Sequence, residues 1–204
     1  MRMPTMPSSG SVRFFLCASS FTRAAGWALL LVAALIALTG RGARAQEITE
    51  AQLKAGYLYN FLLLAEWPEA RAAAGASRGY VICVVGGDSV AAAFAPVLNR
   101  PVEGYPLRVE RYPAQTGPEA LRGCHIVALD PGLGDAAGAI VAGLRGSPVL
   151  TVGETPGFID AGGMVGFVAR GAKLRFEINT AAAAAGGIRF RAKILRLAER
   201  VVER

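Results

Sequence analysis

The chain has 204 residues, enough for one domain of ordinary size with or without a targeting segment. Its formal net charge of +7 is unevenly spread: residues 1–45 carry five arginines and no acid, so the other 159 residues hold 17 basic against 15 acidic side chains. A near-neutral body behind a basic leader removes the compositional argument for nucleic-acid binding, and no nucleic-acid partner is expected. Gly and Ala are abundant but follow no period, and 53% of residues are hydrophobic, which excludes collagen-like, coiled-coil and disordered chains.

The leader reads as a secretory signal. Arg2, Arg13 and Arg23 precede the apolar run Trp27–Thr39, and Ala43-Arg44-Ala45 supplies small residues at the spacing a signal peptidase needs. Thirteen residues as a helix reach about 20 Å, short of a ~30 Å hydrocarbon core. Residues 1–45 are therefore predicted to be a cleaved signal peptide, with 46–204 as the exported domain. An uncleaved anchor is the alternative.

In chain order, Thr49-Glu50-Ala51-Gln52 is a capping box that opens a helix. Leu53, Tyr57, Phe61, Leu64 and Trp67 then recur at helical spacing up to Pro68. An Ala/Gly-rich loop is expected over 70–79, then a strand at 80–86. Gly86-Gly87-Asp88-Ser89 turns into a helix at 89–98. A strand at Leu107–Tyr112, a short helix over 117–122 and a strand His125–Leu129 follow. Pro131–Gly134 starts a helix running to Arg145, and Val149–Val152 is again a strand. Met164–Ala169 and Lys173–Asn179 form a hairpin turning at Arg170-Gly171-Ala172, and a closing helix covers 181–202. Strands alternating with helices imply one α/β domain, a mostly parallel sheet with helices on both faces, with the hairpin adding antiparallel edge strands.

Cys17 leaves with the leader, so the mature chain keeps Cys83 and Cys124. In an oxidising compartment such a pair invites a disulfide; the alternative is two buried thiols acting as small apolar residues.

The sequence offers little chemistry. His125 is the only histidine, and its neighbour Cys124 points to the opposite face of a strand, so the two form no dyad. The Gly86-Gly87 turn lacks the spacing of phosphate-binding loops. Asp130, Asp135 and Asp160 lie in loops with nothing pairing them as acid and base. Trp67 and Asn60 read as packing and a buried hydrogen bond. No catalytic residue, metal or cofactor is expected, and the chain is read as a non-enzyme.

Several short patches in order resemble the YfiR family of periplasmic regulators. They are Lys54–Phe61 with Glu66-Trp67-Pro68, Ile82–Gly86, Cys124-His125-Ile126, Val149–Gly153 with Pro156-Gly157-Phe158, Gly162-Gly163-Met164, Arg175–Asn179 and Leu195–Ala198. The chain has Leu62-Leu63-Leu64 where that family has a more polar stretch, and no second cysteine pair in its C-terminal third. The resemblance spans about residues 50–202. It implies a periplasmic α/β binding protein, often dimeric, that inhibits an inner-membrane diguanylate cyclase by docking on its periplasmic part, lowering cyclic-di-GMP and biofilm formation. A small-ligand carrier or sensor using the Gly86-Gly87 turn is the alternative.

A binding protein needs a surface, and the sequence offers two. On a closing helix, Phe190, Ile194, Leu197 and Val201 align as an apolar stripe beside a basic stripe of Arg189, Lys193, Arg196 and Arg200, suited to an acidic partner or anionic lipid. The second runs from Phe158 to Met164 and along the strand Phe176, Glu177 and Asn179, where a partner would pair with an exposed edge.

Overall fold

The structure, a computed structural model, describes residues 48–98 and 100–203. The expected signal peptide and its cleavage site lie outside the described residues.

Helix α1 (Glu50–Leu64) begins as the sequence dictates: the Thr49 hydroxyl accepts from the Gln52 amide at 3.2 Å, and the Gln52 side chain accepts from the Thr49 amide at 2.9 Å. Its Ala55, Leu58, Phe61 and Leu62 are buried. The helix stops at Leu64, short of Trp67, because Ala65-Glu66 become strand β1 and pair with Arg189-Phe190. Residues expected as a loop form helix α2 (Glu69–Arg78), an Ala-rich segment that starts directly after Pro68. It buries only Gly75. Its small alanines and glycine give no large apolar stripe of the kind that marks α1, yet the alanines favour helix on propensity.

From there the βα alternation holds. Strands β2 (Tyr80–Val85), β3 (Leu107–Tyr112), β4 (Ile126–Leu129) and β5 (Leu150–Gly153) are joined through α3 (Asp88–Ala93), α4 (Pro118–Leu121) and α5 (Asp135–Leu144). The expected hairpin, β6 (Val165–Arg170) and β7 (Lys173–Asn179), turns at Gly171-Ala172 and sets Phe167 opposite Phe176. The seven-stranded sheet has the order β3-β2-β4-β5-β6-β7-β9, its last strand β9 being Arg200–Val202; β3 to β6 are parallel neighbours and β7 is antiparallel to β6. Strands β2, β4 and β5 are buried throughout, as expected of a parallel sheet covered on both faces.

The closing helix over 181–202 does not form. In its place stand α6 (Thr180–Ala185), β8 (Arg189–Phe190), α7 (Ala192–Leu195) and β9 (Arg200–Val202). Gly186-Gly187 ends the helix: Gly187 sits at φ +74°, and a Cβ on Gly186 would collide with the Ser147 carbonyl. The β-branched pair Val201-Val202 then joins the sheet beside Ile178 and Asn179. The apolar and basic stripes drawn along one helix are thus distributed over two short strands and a single turn. Strand β7 is also no edge, since β9 covers its outer side; the edges are β3 and β9.

Two cores flank the sheet. One, under α1, α3 and α6, centres on an aromatic cluster in which Phe61 meets Phe176 edge-on, ring centroids 5.1 Å apart, and Tyr57 meets Phe176 at 5.4 Å. The other lies under α4 and α5 and contains Cys83, Cys124, Ile140 and Leu144. Cys83 on β2 and Cys124 just before β4 are disulfide-bonded, with Cα atoms 5.9 Å apart. Adjacent strands bring them together.

Candidate functional site

The crossing of the chain between β2 and β4 puts a crevice at the carboxyl ends of β2, β4 and β5, where open α/β sheets usually hold ligands. Leu58, Val84, Val90, Leu129 and Phe167 wall it, with Lys54, Asp130 and Glu154 at its mouth. Lys54 is spent on Glu154 at 2.6 Å and Glu50 at 2.7 Å. The enclosed space is about 20 Å³, room for a single water. The Gly86-Gly87 turn beside it is structural. Gly86 takes φ +83° with Leu133 packed where a side chain would go, and the Asp130 carboxylate lies against Gly87. A fixed negative charge occupies the position that a phosphate would need.

A second cluster surrounds His125, which is 2% exposed at the base of a groove of about 270 Å³. Its Nδ1 accepts from the Val81 amide at 3.2 Å, so the neutral ring carries its proton on Nε2, which has no hydrogen-bond partner among the described residues. Tyr80 and Trp67 pack on the ring with centroids 4.8 and 5.5 Å away. Arg71 closes the corner, donating to the carbonyls of Pro148, Gly123 and Arg122 and so tying α2 to the turns before β4 and β5. Burial, reinforced by the Arg71 charge, holds the His125 pKa down at about 4 rather than 6.5.

This arrangement makes stability depend on pH with a definite sign. Above pH 6.5 neither folded nor unfolded protein protonates His125; as pH falls from 6.5 towards 4 the unfolded chain takes the proton first. Stability is therefore expected to drop across that window by on the order of 3 kcal/mol, and His125→Gln to flatten the drop. Chemical denaturation at pH 7 and pH 4.5 measures it.

The residues proposed for partner binding fall into three sets. Phe158, Met164 and Phe176 are buried at 6%, 3% and 2% exposure and present no surface. The Phe158 ring fills the space above Gly153 and Gly163, where any Cβ would collide with it. The tandem glycine thus admits a core aromatic. Asn179 is structural as well: its Nδ2 donates to the Ile159 carbonyl at 2.9 Å and its Oδ1 accepts from Ala182 at 2.8 Å, capping α6. Arg189, Lys193 and Arg196 are exposed, on β8 and around α7.

Glu177 is different. Strand alternation puts Phe167, Phe176 and Ile178 into the first core, and puts Gly166, Val168, Arg170, Lys173, Arg175 and Glu177 on the opposite face with Arg200 of β9. Helices α4 and α5 cover that face over β2, β4 and β5. Over β6, β7 and β9 it carries an ion-pair network. Arg200 bonds Asp160 through both terminal nitrogens, at 2.9 and 2.8 Å, and reaches Glu177 at 2.8 Å, while Arg170 pairs with Glu199 and approaches Glu177 at 4.0 Å. The Arg200 guanidinium holds the Asp160 carboxyl below its usual range. Lys173 and Arg175 on the same face are exposed. Sequence alternation pointed to Glu177; its partner Arg200, 23 positions away, and Asp160, 40 positions from the arginine that both acids share, carried no local signal.

Among the described residues no cluster of His, Cys, Asp and Glu has the makings of a metal site, and no helix is long and apolar enough to cross a membrane. None of the curated proteins matches the sequence. Ten chains of solved structures match, and two of them illustrate the shared fold. A conserved domain protein from Vibrio cholerae O1 biovar El Tor superposes with a TM-score of 0.51 at 12% identity over 75% of this chain. The ABC domain in complex with L-Trp from Streptococcus pneumonia gives 0.50 at 13% over 74%. The chain spans 60% of the length of each, and at these identities the likeness concerns the fold alone. The family comparison reaches further, since the YfiR/HmsC-like model matches residues 51–199, essentially the whole described domain from α1 to the start of β9. The chain belongs to the YfiR/HmsC-like family.

Proposed function

We propose that this protein is exported to the periplasm, its first 45 residues removed as a signal peptide, and that it there inhibits an inner-membrane diguanylate cyclase or sensor by docking on the periplasmic part of that enzyme. The family match over residues 51–199 carries the reading. The surface of the domain supports a binding role: the polar face of β6, β7 and β9 has no helix above it, and it presents Arg170, Lys173, Arg175 and Arg200 around Glu177. Edge pairing with β7 is replaced in this account by docking on its face, because β9 occupies the edge. Charge complementarity on such a face gives specificity and steers encounter.

The ligand-carrier reading finds less support. A crevice of about 20 Å³, with its lysine already paired and Asp130 against the glycine turn, has no room for a molecule the size of the L-Trp held by the streptococcal domain. The discriminating experiment is affinity capture of the tagged protein from periplasm and membranes after mild cross-linking. A membrane protein with a cyclase domain is expected to copurify, and deletion of this chain to raise cellular cyclic-di-GMP. Recovery of no membrane protein, with saturable small-molecule binding in calorimetry, would put the carrier reading ahead.

A further inference from the structure

The connection from α6 to β9 gathers cations that the docking face does not use. Arg189 and Arg191 project outward from either side of buried Phe190, and Lys193, Arg196 and Leu197 follow around the single turn of α7. All four basic side chains are exposed, and Leu197 is 57% exposed among them. The segment is firmly seated. Phe190 and Ile194 are buried in the first core, the Arg191 amide donates to the Leu64 carbonyl at 3.0 Å, and β8 pairs with β1. Two of the nearby acids are taken, Glu66 by Arg189 at 3.4 Å and Glu199 by Arg170, while exposed Glu203 shares a surface hollow with Arg189 and Leu195. Arg191, Lys193 and Arg196 make no ion pair among the described residues.

A rigid corner with three unpaired cations and a protruding leucine between them is the chemistry of an interfacial lipid contact. The cations meet phosphate headgroups while the leucine enters the acyl boundary. An acidic protein surface would satisfy the charges but would not by itself account for an exposed leucine centred among them. We propose that the β8–α7 corner binds anionic phospholipid, laying the protein against the membrane surface. This inference is independent of the cyclase reading, because its test contains no cyclase.

The test is flotation of the protein recovered from the periplasmic fraction with vesicles of phosphatidylcholine, with and without about one-third phosphatidylglycerol. The wild type is compared with the R191E/K193E/R196E variant and with Leu197→Ala, and circular dichroism verifies the fold of each. Any contribution of residues 1–47 is common to all of them. Binding is expected only to anionic vesicles, to weaken with salt, to fall about 100-fold in the triple variant at roughly fivefold per cation, and to fall several-fold in Leu197→Ala. Equal affinity for neutral vesicles, no binding to either kind, or a folded triple variant that floats like the wild type would overturn the proposal. So would loss by the triple variant of a protein partner in detergent, with vesicle binding unchanged, which would assign the corner to an acidic protein.

Discussion

Replacing Cys83 and Cys124 together by alanine is expected to lower the unfolding free energy by about 4 kcal/mol. The bond closes a loop between residues 41 positions apart, and constraining an unfolded loop of that length contributes roughly that much on the chain-entropy account. Both sulfurs lie in the core under α4 and α5, at 0% and 1% exposure, so alanine also removes packed apolar volume there. For a domain of this size the loss corresponds to a fall of about 10 °C in Tm, read by thermal circular dichroism with and without reductant. The wild type in reductant should move towards the variant, whereas the variant should ignore reductant. A wild-type Tm unchanged by complete reduction would show that packing of the two thiols, and not the covalent loop, sets the stability.

The second large effect is expected at the docking face, and the structure decides which substitutions expose it cleanly. Glu177→Arg places a third guanidinium between Arg170 and Arg200, so it removes the carboxylate that both face and disturbs the hold of β9 on β7. It should weaken partner binding by orders of magnitude, yet part of that loss would come from a loosened sheet edge. Arg175→Glu reverses charge on the same face at an exposed position with no ion pair among the described residues, so its cost to stability should stay within about 0.5 kcal/mol. If the face docks, repulsion where complementarity is needed slows association and shortens the lifetime of the complex, by at least tenfold in Kd.

Much of this architecture was legible in the sequence because each strand of the parallel sheet is a short apolar run bounded by turn residues, as at Tyr80–Val85 before Gly86-Gly87 and at Ile126–Leu129 before Asp130-Pro131. The capping box at Thr49 and the hairpin turn are local devices and appear where their residues stand. The C-terminal segment misled for a physical reason. Phe190, Ile194, Leu197 and Val201 repeat at helical spacing, but tandem glycines interrupt the chain ahead of them, and pairing with β1 and β7 outweighs the pattern. Strand β1, two residues long, exists only because β8 lies beside it. Alternation puts Glu177 on the polar face of β7, and there it stands. Phe158, Met164, Phe176 and Asn179 are buried and were misplaced, because glycine and hairpin signals show that a chain turns and leave open whether the residues face solvent or core. The exposed cations at Arg189, Lys193 and Arg196 survive the loss of the helix they were drawn on, since burial of Phe190 and Ile194 turns them outward all the same.

The central claim is that this protein acts by docking through the charged, helix-free face of β6 and β7, and one measurement addresses it directly. The periplasmic part of the copurifying cyclase is immobilised, and wild type, Arg175→Glu and His125→Gln are compared for binding, with denaturation curves confirming that all three are folded. The account predicts that Arg175→Glu loses at least tenfold in affinity and raises cyclic-di-GMP in cells, while His125→Gln, altered in a buried ring behind α2, binds as the wild type does. Normal binding by folded Arg175→Glu, together with loss of regulation in folded His125→Gln, would contradict it and move the functional centre to the His125 groove.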